Sequence, residues 1–376
     1  MLTQAPVTLY QGGVIRPVYL HGSAVSTTWR DASRSLTDLI FGCVQAALGD
    51  AGISAASLGA IVLAAHDLVD GRGLTNMVTA PAAAAYLKDE TRLGDDGALA
   101  FVLGDARVRS GSADTCLVAA WGRASEGPID EIAHALFDPF TARPLALTEI
   151  AVSGMRAARC LGDYPGYGRW RGGAAARRHD AAARRGHAAA PPGAPPADPS
   201  RVPPPAWPLV AGELPVWADM VAAVVLSSQP GPVRVAGVGM STEPYDLGDR
   251  DLTGLTALRA ASGQALTAAG VDVAGVEVLE LDGLTLFDEA LAAEAVGAAP
   301  RGEGMSLLAN SDRVNPDGGG AAGYCAPAMG LVRIARAAGR LRADRRRDAT
   351  TTRLALATGA SVVAAQVQAA VVLEGA

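Results

Sequence analysis

Apolar residues at 36, 39, 40, 43, 44, 47 and 48 fall on one face of a helix, and Gly52 follows as a stop signal. The run Leu58 to Ala65 is continuously apolar and short, the pattern of a strand covered on both sides. The same cassette returns 218 positions later: Ala47 to Ile53 matches Ala265 to Val271, and Leu58 to Leu63 falls on Val276 to Leu281. Helix, glycine stop, polar link and buried strand, written twice, predict an internally duplicated α/β chain.

The intervening pattern fills in the units. A polar loop, His66 to Asn76, precedes a helical stretch around Ala82 to Leu87. Leu93 to Val108 then predicts a tight glycine turn entering a buried helix, with Asp95 or Asp96 placed to cap it. Strands are expected over Ser112 to Glu126, Pro215 to Ser227, Val233 to Met240 and Val276 to Asp282, and helices over Ala151 to Arg159, Leu252 to Ala269 and Leu286 to Val296. Met305 to Asn310 is expected to be a buried strand. After it, Asn315 to Gly330 carries glycines at 318, 319, 320, 323 and 330 and feeds a helix that begins near Leu331. A glycine-rich loop between strand and helix brings backbone close to a ligand, which makes this a site-forming loop; the plain alternative is a corner.

Composition changes this picture little. At 376 residues, 49% hydrophobic and 19% charged, the chain is long enough to bury one large or two ordinary cores. A net charge of -6 gives no electrostatic case for nucleic acid. The longest apolar runs, such as Met220 to Leu226, are far short of the ~20 residues of a membrane helix, and the N-terminus lacks a signal pattern. A cytoplasmic protein without membrane partners is expected. Cysteines at 43, 116, 160 and 325 show no CxxC spacing, and the histidines form no metal-ligand cluster. Residues 169 to 187 are rich in Arg and Ala. Arg177, Arg178, Arg184 and Arg185 read either as a solvated basic tract or as phosphate contacts, and residues 188 to 205 are a proline-rich tract that cannot pack a core.

Several of these stretches resemble the thiolase superfamily, its lipid-transfer-type (sterol-carrier-type) members in particular. Asn315-Pro-Asp-Gly-Gly-Gly followed by Gly323-Tyr-Cys-Ala-Pro-Ala-Met-Gly330 is similar to that family's C-terminal glycine-rich loop, whose second half reads Gly-His-Pro-x-Gly-Ala-x-Gly. Tyr324 stands at the histidine position and Cys325 at the proline position. Aligning Gly97 with the glycine of the family's Cys-x-Ser-Gly turn puts Gly94 where the nucleophilic cysteine belongs, followed by Asp95 and Asp96. Glu280-Leu-Asp-Gly resembles the family's Glu-Leu-His-Asp strand end, with Asp282 at the histidine position, where it reads as a base or water holder or as a cap of the following helix. Arg353 to Ser361 and Gln368 to Glu374 resemble the closing hairpin, and Thr358 to Ser361 lacks the second cysteine of condensing thiolases.

The resemblance implies a thiolase fold: two duplicated α/β halves, residues 1–228 and 229–376, in a five-layered αβαβα core, with a partly low-complexity loop region over 125–210. It also implies that Ser112 to Glu126 is the strand that pairs across a dimer interface, with Cys116 as core. The substrate would be an acyl-CoA or acyl carrier protein thioester, with no other cofactor and no metal. Gly94, Asp95, Asp96, Asn315, Gly319, Gly320 and Gly323 would form the binding surface.

Two functions follow. One is a non-condensing, aldolase-type enzyme in which Tyr324 moves a proton at a β-hydroxyl or enolate oxygen, tuned by Asp282 or His66, with a small OB-fold partner subunit. The other is a catalytically silent subunit, homodimeric or paired with an active thiolase-like homologue. Cys325 as a relocated nucleophile is a third, narrower reading.

Overall fold

The computed structural model describes residues 15–29, 33–71, 73–127, 129–184, 206–345 and 353–375. Arg185 and the proline-rich tract lie outside them. In chain order the elements are β1 (Tyr19–Thr28), α1 (Leu36–Ala51), β2 (Ala60–Ala64), α2 (Asn76–Ala82), β3 (Asp89–Leu93), α3 (Gly97–Arg109), β4 (Thr115–Arg123), α4 (Ile129–Leu136), α5 (Glu149–Asp163), α6 (Pro165–Arg184) and β5 (Asp219–Ser227). The second half supplies β6 (Val233–Thr242), α7 (Thr256–Ala269), β7 (Val278–Glu280), α8 (Leu286–Ala295), α9 (Gly304–Asn310), α10 (Ala326–Arg345), β8 (Leu354–Ala360) and β9 (Val367–Gly375).

The strands run in the order β3-β2-β4-β5-β1-β6-β9-β8-β7. Taken outward from the β1/β6 joint, the halves mirror each other, β5-β4-β2 on one side and β9-β8-β7 on the other. That joint is short: Tyr19 pairs with Arg234 and Leu20 with Val233, and Val235 N–H donates to Val18 O at 2.8 Å. The duplication is therefore real at the level of backbone. Gly52 and Gly270, 218 apart, both cap their helices in the left-handed conformation. Gly22 and Gly237 sit at matching strand irregularities. A Cβ at Gly22 would collide with Ala47 O and Ala51 N of α1, and one at Gly237 with Ala265 O and Ala269 N of α7, again 218 residues on.

α1 covers the outer face of β1 and β5, and α7 that of β6 and β9. Between the two sheet halves lie α3 and α10. Helix α3 packs on β2 and β4 and also on β8 and β9; α10 packs on β8 and on β4 and β5. This gives five layers, αβαβα, with α3 and α10 as the shared inner layer. Burial from all sides explains why α10 carries apolar residues right round, from Leu331 and Val332 to Ile334 and Ala335.

Several sequence expectations are corrected. Met305 to Asn310 is the helix α9, packed on α6 and α8, and the backbone paired beside β7 is Val314 instead. A six-residue apolar run does not separate strand from helix by periodicity. The helical stretch lies over α2, before Ala82–Leu87, where Ala84 and Leu87 take positive φ and break it. β4 has β2 on one edge and β5 on the other, so it cannot pair with a second chain; β3 is the strand at that edge of the sheet. Cys116 on β4 is buried core, as expected.

The Arg-rich stretch is the helix α6; Arg171, Arg177 and Arg178 reach inward, while Arg169 and Arg184 are exposed. Arg171 makes a two-pronged ion pair with Glu213, and the buried Arg178 lies 3.6 Å from Glu289. Arg177 pairs with Asp312. A basic helix can pack inward because each inward guanidinium meets a carboxylate from another element.

Candidate functional site

The glycine-rich loop positions Tyr324 through its backbone. Tyr324 N–H donates to Val216 O at 2.8 Å, and its carbonyl accepts from Ala218 N–H at 3.1 Å, so the loop runs beside the approach to β5. The ring meets Trp217 edge-on, with centroids 5.7 Å apart. Tyr324 is 7% exposed. Among the described residues no protein group hydrogen-bonds its hydroxyl, and Tyr324 lines a cavity whose space, open solvent included, is about 830 Å³. Burial, and then the neighbouring carboxyls of Asp282, Asp96, Glu149 and Asp288, push this phenol well above its ordinary value. It stays protonated.

Asp282 follows β7 and lines the same cavity. Its N–H donates to Thr358 Oγ1 at 2.9 Å, and Asn315 holds the residue before it: Asn315 Oδ1 accepts from Leu281 N–H at 2.8 Å while Nδ2 donates to Leu281 O at 3.0 Å. One carboxylate oxygen, Oδ1, is buried without a partner. Burial pushes Asp282 up to about 6, opposed by the positive charge of Arg333, wholly buried on α10. Asp282 is not the cap of α8. Thr285 is, in a capping box with Asp288.

The remaining sequence candidates lie elsewhere. Asp96 is the N-cap of α3: Oδ1 accepts from Ala98 N–H and Oδ2 from Gly330 N–H on α10, at 2.8 and 2.9 Å. Asp95 accepts from Asp96 N–H and from Val362 N–H. The turn where a nucleophile would sit is thus a structural joint, with Gly94 exposed beside it. Gly319 (φ 57) and Gly320 lie against α8; Gly320 N–H donates to Glu289 Oε1 at 2.9 Å. Gly323 (φ 112) packs on Thr27 and Ala218. Gly319, Gly320 and Gly323 do not line the cavity. His66 lies near Gly94 and Asp95 and does not line the cavity; burial lowers its pKa. Cys325 is fully buried, its Sγ against the backbone of Gly122, and burial raises its thiol pKa.

The cavity contains residues that sequence reasoning missed: Glu149, Ser153 and Arg156 of α5, Asp288 of α8, and Trp217. Asp288 is fully engaged. Its Oδ2 accepts from Ser153 Oγ at 2.5 Å and from Thr285, and its Oδ1 from Arg156 at 2.9 Å. Glu149 is engaged only on one side, Oε1 accepting from Ala364 N–H at 2.6 Å, and burial pushes it up to about 7. Nothing in the local sequence of α5 distinguishes Glu149 from an ordinary first-turn carboxylate. The rest of the wall is mostly apolar, with Leu255, Leu258, Leu284, Ile132, Leu136 and Val69, and also carries Ser361 and Gln368. A phenol, two carboxyls of near-neutral pKa and an apolar lining can bind an uncharged acyl chain and move protons at its oxygen and carbon atoms.

Residues 239–374 match the family described as thiolase C-terminal domain-like. No curated protein matches the chain in sequence. Among solved structures, the Ltp2-ChsH2(DUF35) aldolase is similar in fold at 18% identity, over 97% of this chain and 99% of that one, with a TM-score of 0.72. Human mitochondrial 3-ketoacyl-CoA thiolase in complex with CoA follows at 15%, over 97% and 99%, with a TM-score of 0.70. A monomeric SCP2-thiolase like protein type 1 from Mycobacterium smegmatis matches at 18%, over 95% and 77%, with a TM-score of 0.68. Among the described residues no helix is long and apolar enough to cross a membrane. The chain has the thiolase fold, and residues 239–374 match the model of the thiolase C-terminal domain-like family.

Proposed function

We propose that this protein makes or breaks a carbon–carbon bond beside the carbonyl of an acyl thioester, in the aldol or retro-aldol sense, without a covalent acyl-enzyme. The thioester is carried on coenzyme A or an acyl carrier protein. The observation that carries the reading is Tyr324 on the wall of an apolar cavity beside Asp282, with no cysteine bordering it. A phenol held above pKa ~10 is not a free base at neutral pH. In the cleavage direction it therefore works as a relay: Tyr324 takes the β-hydroxyl proton as it hands its own, by way of a bridging water, to the Asp282 carboxylate. The bonding electrons of the broken carbon–carbon bond pass to the thioester as an enolate. The likeness to an aldolase and to a CoA-bound thiolase supports the choice of bond and of carrier. A partner subunit that delivers the thioester fits the two-component name of the aldolase.

The test is turnover of a panel of branched 3-hydroxyacyl-CoA thioesters by the full chain and by Tyr324→Phe. Loss of cleavage by about 100-fold with an unchanged melting curve is expected. Cleavage unaffected by the substitution refutes the mechanism.

One observation favours a second reading, a silent subunit paired with an active homologue: the central turn and the glycine loop are committed to internal contacts of Asp96 and Glu289. Co-purification with a thiolase that retains its cysteine, and no turnover by either chain of the thioester panel alone, is its signature.

A further inference from the structure

We propose that Glu149 is a second catalytic residue of this cavity, the group that gives a proton to the α-carbon of the thioester enolate in cleavage and removes it in the addition direction. The inference rests on the aldol reading above. That reading leaves an enolate without a proton donor, because Asp282 and Tyr324 are occupied with the β-oxygen.

Three carboxyl groups line the cavity, and their bonding separates them. Asp288 has both oxygens filled by Ser153, Thr285 and Arg156. Asp282 is tied to the tip of β7 and lies under the charge of Arg333. Glu149 is the first residue of α5, behind the cap Thr148, and it is anchored through Oε1 alone to Ala364 in the β8–β9 turn. Among the described residues, Oε2 has no protein partner.

A carboxyl with one oxygen fixed and the other facing a cavity is an aimed proton donor: the anchored oxygen sets the direction and the free one carries the proton. The anchor is itself held. Ala364 and Ala365 take φ of 49 and 52, and the Ala364 carbonyl accepts from Arg250 at 2.8 Å and from Arg156. A turn strained in this way persists only when its surroundings over-determine it. Burial keeps Glu149 protonated up to about pH 7, which suits a donor.

The protons balance. Cleavage moves the β-hydroxyl proton to Asp282 and the Glu149 proton to the α-carbon. It leaves Asp282 neutral and Glu149 ionised, and exchange with water restores both.

The test compares Glu149→Gln, which keeps the acceptor for Ala364, and Glu149→Asp with the wild type, all as the full chain. Two quantities are read: cleavage of the 3-hydroxyacyl-CoA panel and, in a separate incubation in D2O to which the acyl-CoA product is added as such, deuterium uptake at its α-carbon, measured by mass spectrometry. Glu149→Gln is expected to lose about 100-fold in both. Glu149→Asp should retain part of each, with the alkaline limb of its pH profile displaced. Tyr324→Phe should lose cleavage and keep deuterium uptake. Undiminished deuterium uptake in Glu149→Gln, with Tyr324→Phe impaired in cleavage, overturns this proposal and leaves the aldol reading standing. A wild type that neither cleaves nor exchanges removes both.

Discussion

Asp96 accepts a hydrogen bond from the backbone of Gly330, 234 residues away, while the same carboxylate caps its own helix at Ala98. One side chain thus fastens α3 to α10 at the centre of the molecule. The two helices meet so closely that a Cβ at Gly97 would stand 2.6 Å from that of Leu331.

Asp96→Ala therefore removes a cap and leaves two buried N–H groups unpaired. A loss of about 2–4 kcal/mol is expected. Urea denaturation should show a lower midpoint with an unchanged slope. A loss under about 0.5 kcal/mol would mean that the joint is held by packing alone.

Asp70 is wholly buried, accepts from Trp121 Nε1 at 3.2 Å, and is pushed by burial up to about 7. Its folded pKa lies above the unfolded value, so the neutral form is the one the fold prefers. Its contribution is fully present below about pH 4 and lost as pH rises through about 7. Asp70→Asn should gain little at pH 4 and on the order of 1–3 kcal/mol at pH 8. Thermal midpoints at the two pH values decide it; an equal shift at both contradicts the linkage.

Two glycines give a matched pair. At Gly319, φ is 57 and an added Cβ would strike the Glu289 carboxylate, so Gly319→Ala should cost about 2 kcal/mol or more. Gly339, on the exposed side of α10, has nothing near it, and Gly339→Ala should stabilise by about 0.5–1 kcal/mol. Opposite signs in one denaturation experiment are the expected result.

All four cysteines are buried. Burial raises Cys43, Cys116 and Cys160 to about 12, and Cys325 is raised as well. Iodoacetamide at neutral pH should leave the native protein unlabelled over a time that fully modifies it in guanidinium. Rapid native labelling of Cys325 would restore it as a nucleophile.

If Asp282 takes the relayed proton, it has to be ionised, and cleavage should rise with pH through about 6. The Asp282→Asn variant should lose that acid limb together with most of its turnover, as read from a pH–rate profile.

The duplicated cassette was legible because its period is long and its glycines are required by geometry: Gly52 and Gly270 mark the same left-handed helix end. Tyr324 and Asp282, singled out by their positions in family-like motifs, both border the cavity. His66 was misjudged because nearness along a strand end says nothing about which way the pocket opens. The loop glycines read as a binding surface, yet the Gly320 amide answers Glu289, a residue on a helix whose burial no local pattern shows. Glu149 was invisible for a related reason. Its neighbours Ala364 and Tyr324 are more than 170 residues distant, and only folding brings a first-turn glutamate to them. The arginines of α6 misled because composition counts charge without its partners.

The two copies share their inner helices, α3 and α10, each sandwiched partly against strands of the other copy. A lone copy would leave that helix bare on one side, and water would not tolerate so much greasy surface. Such a copy would therefore need a second one to cover that helix, and joining the two in a single chain makes the encounter intramolecular.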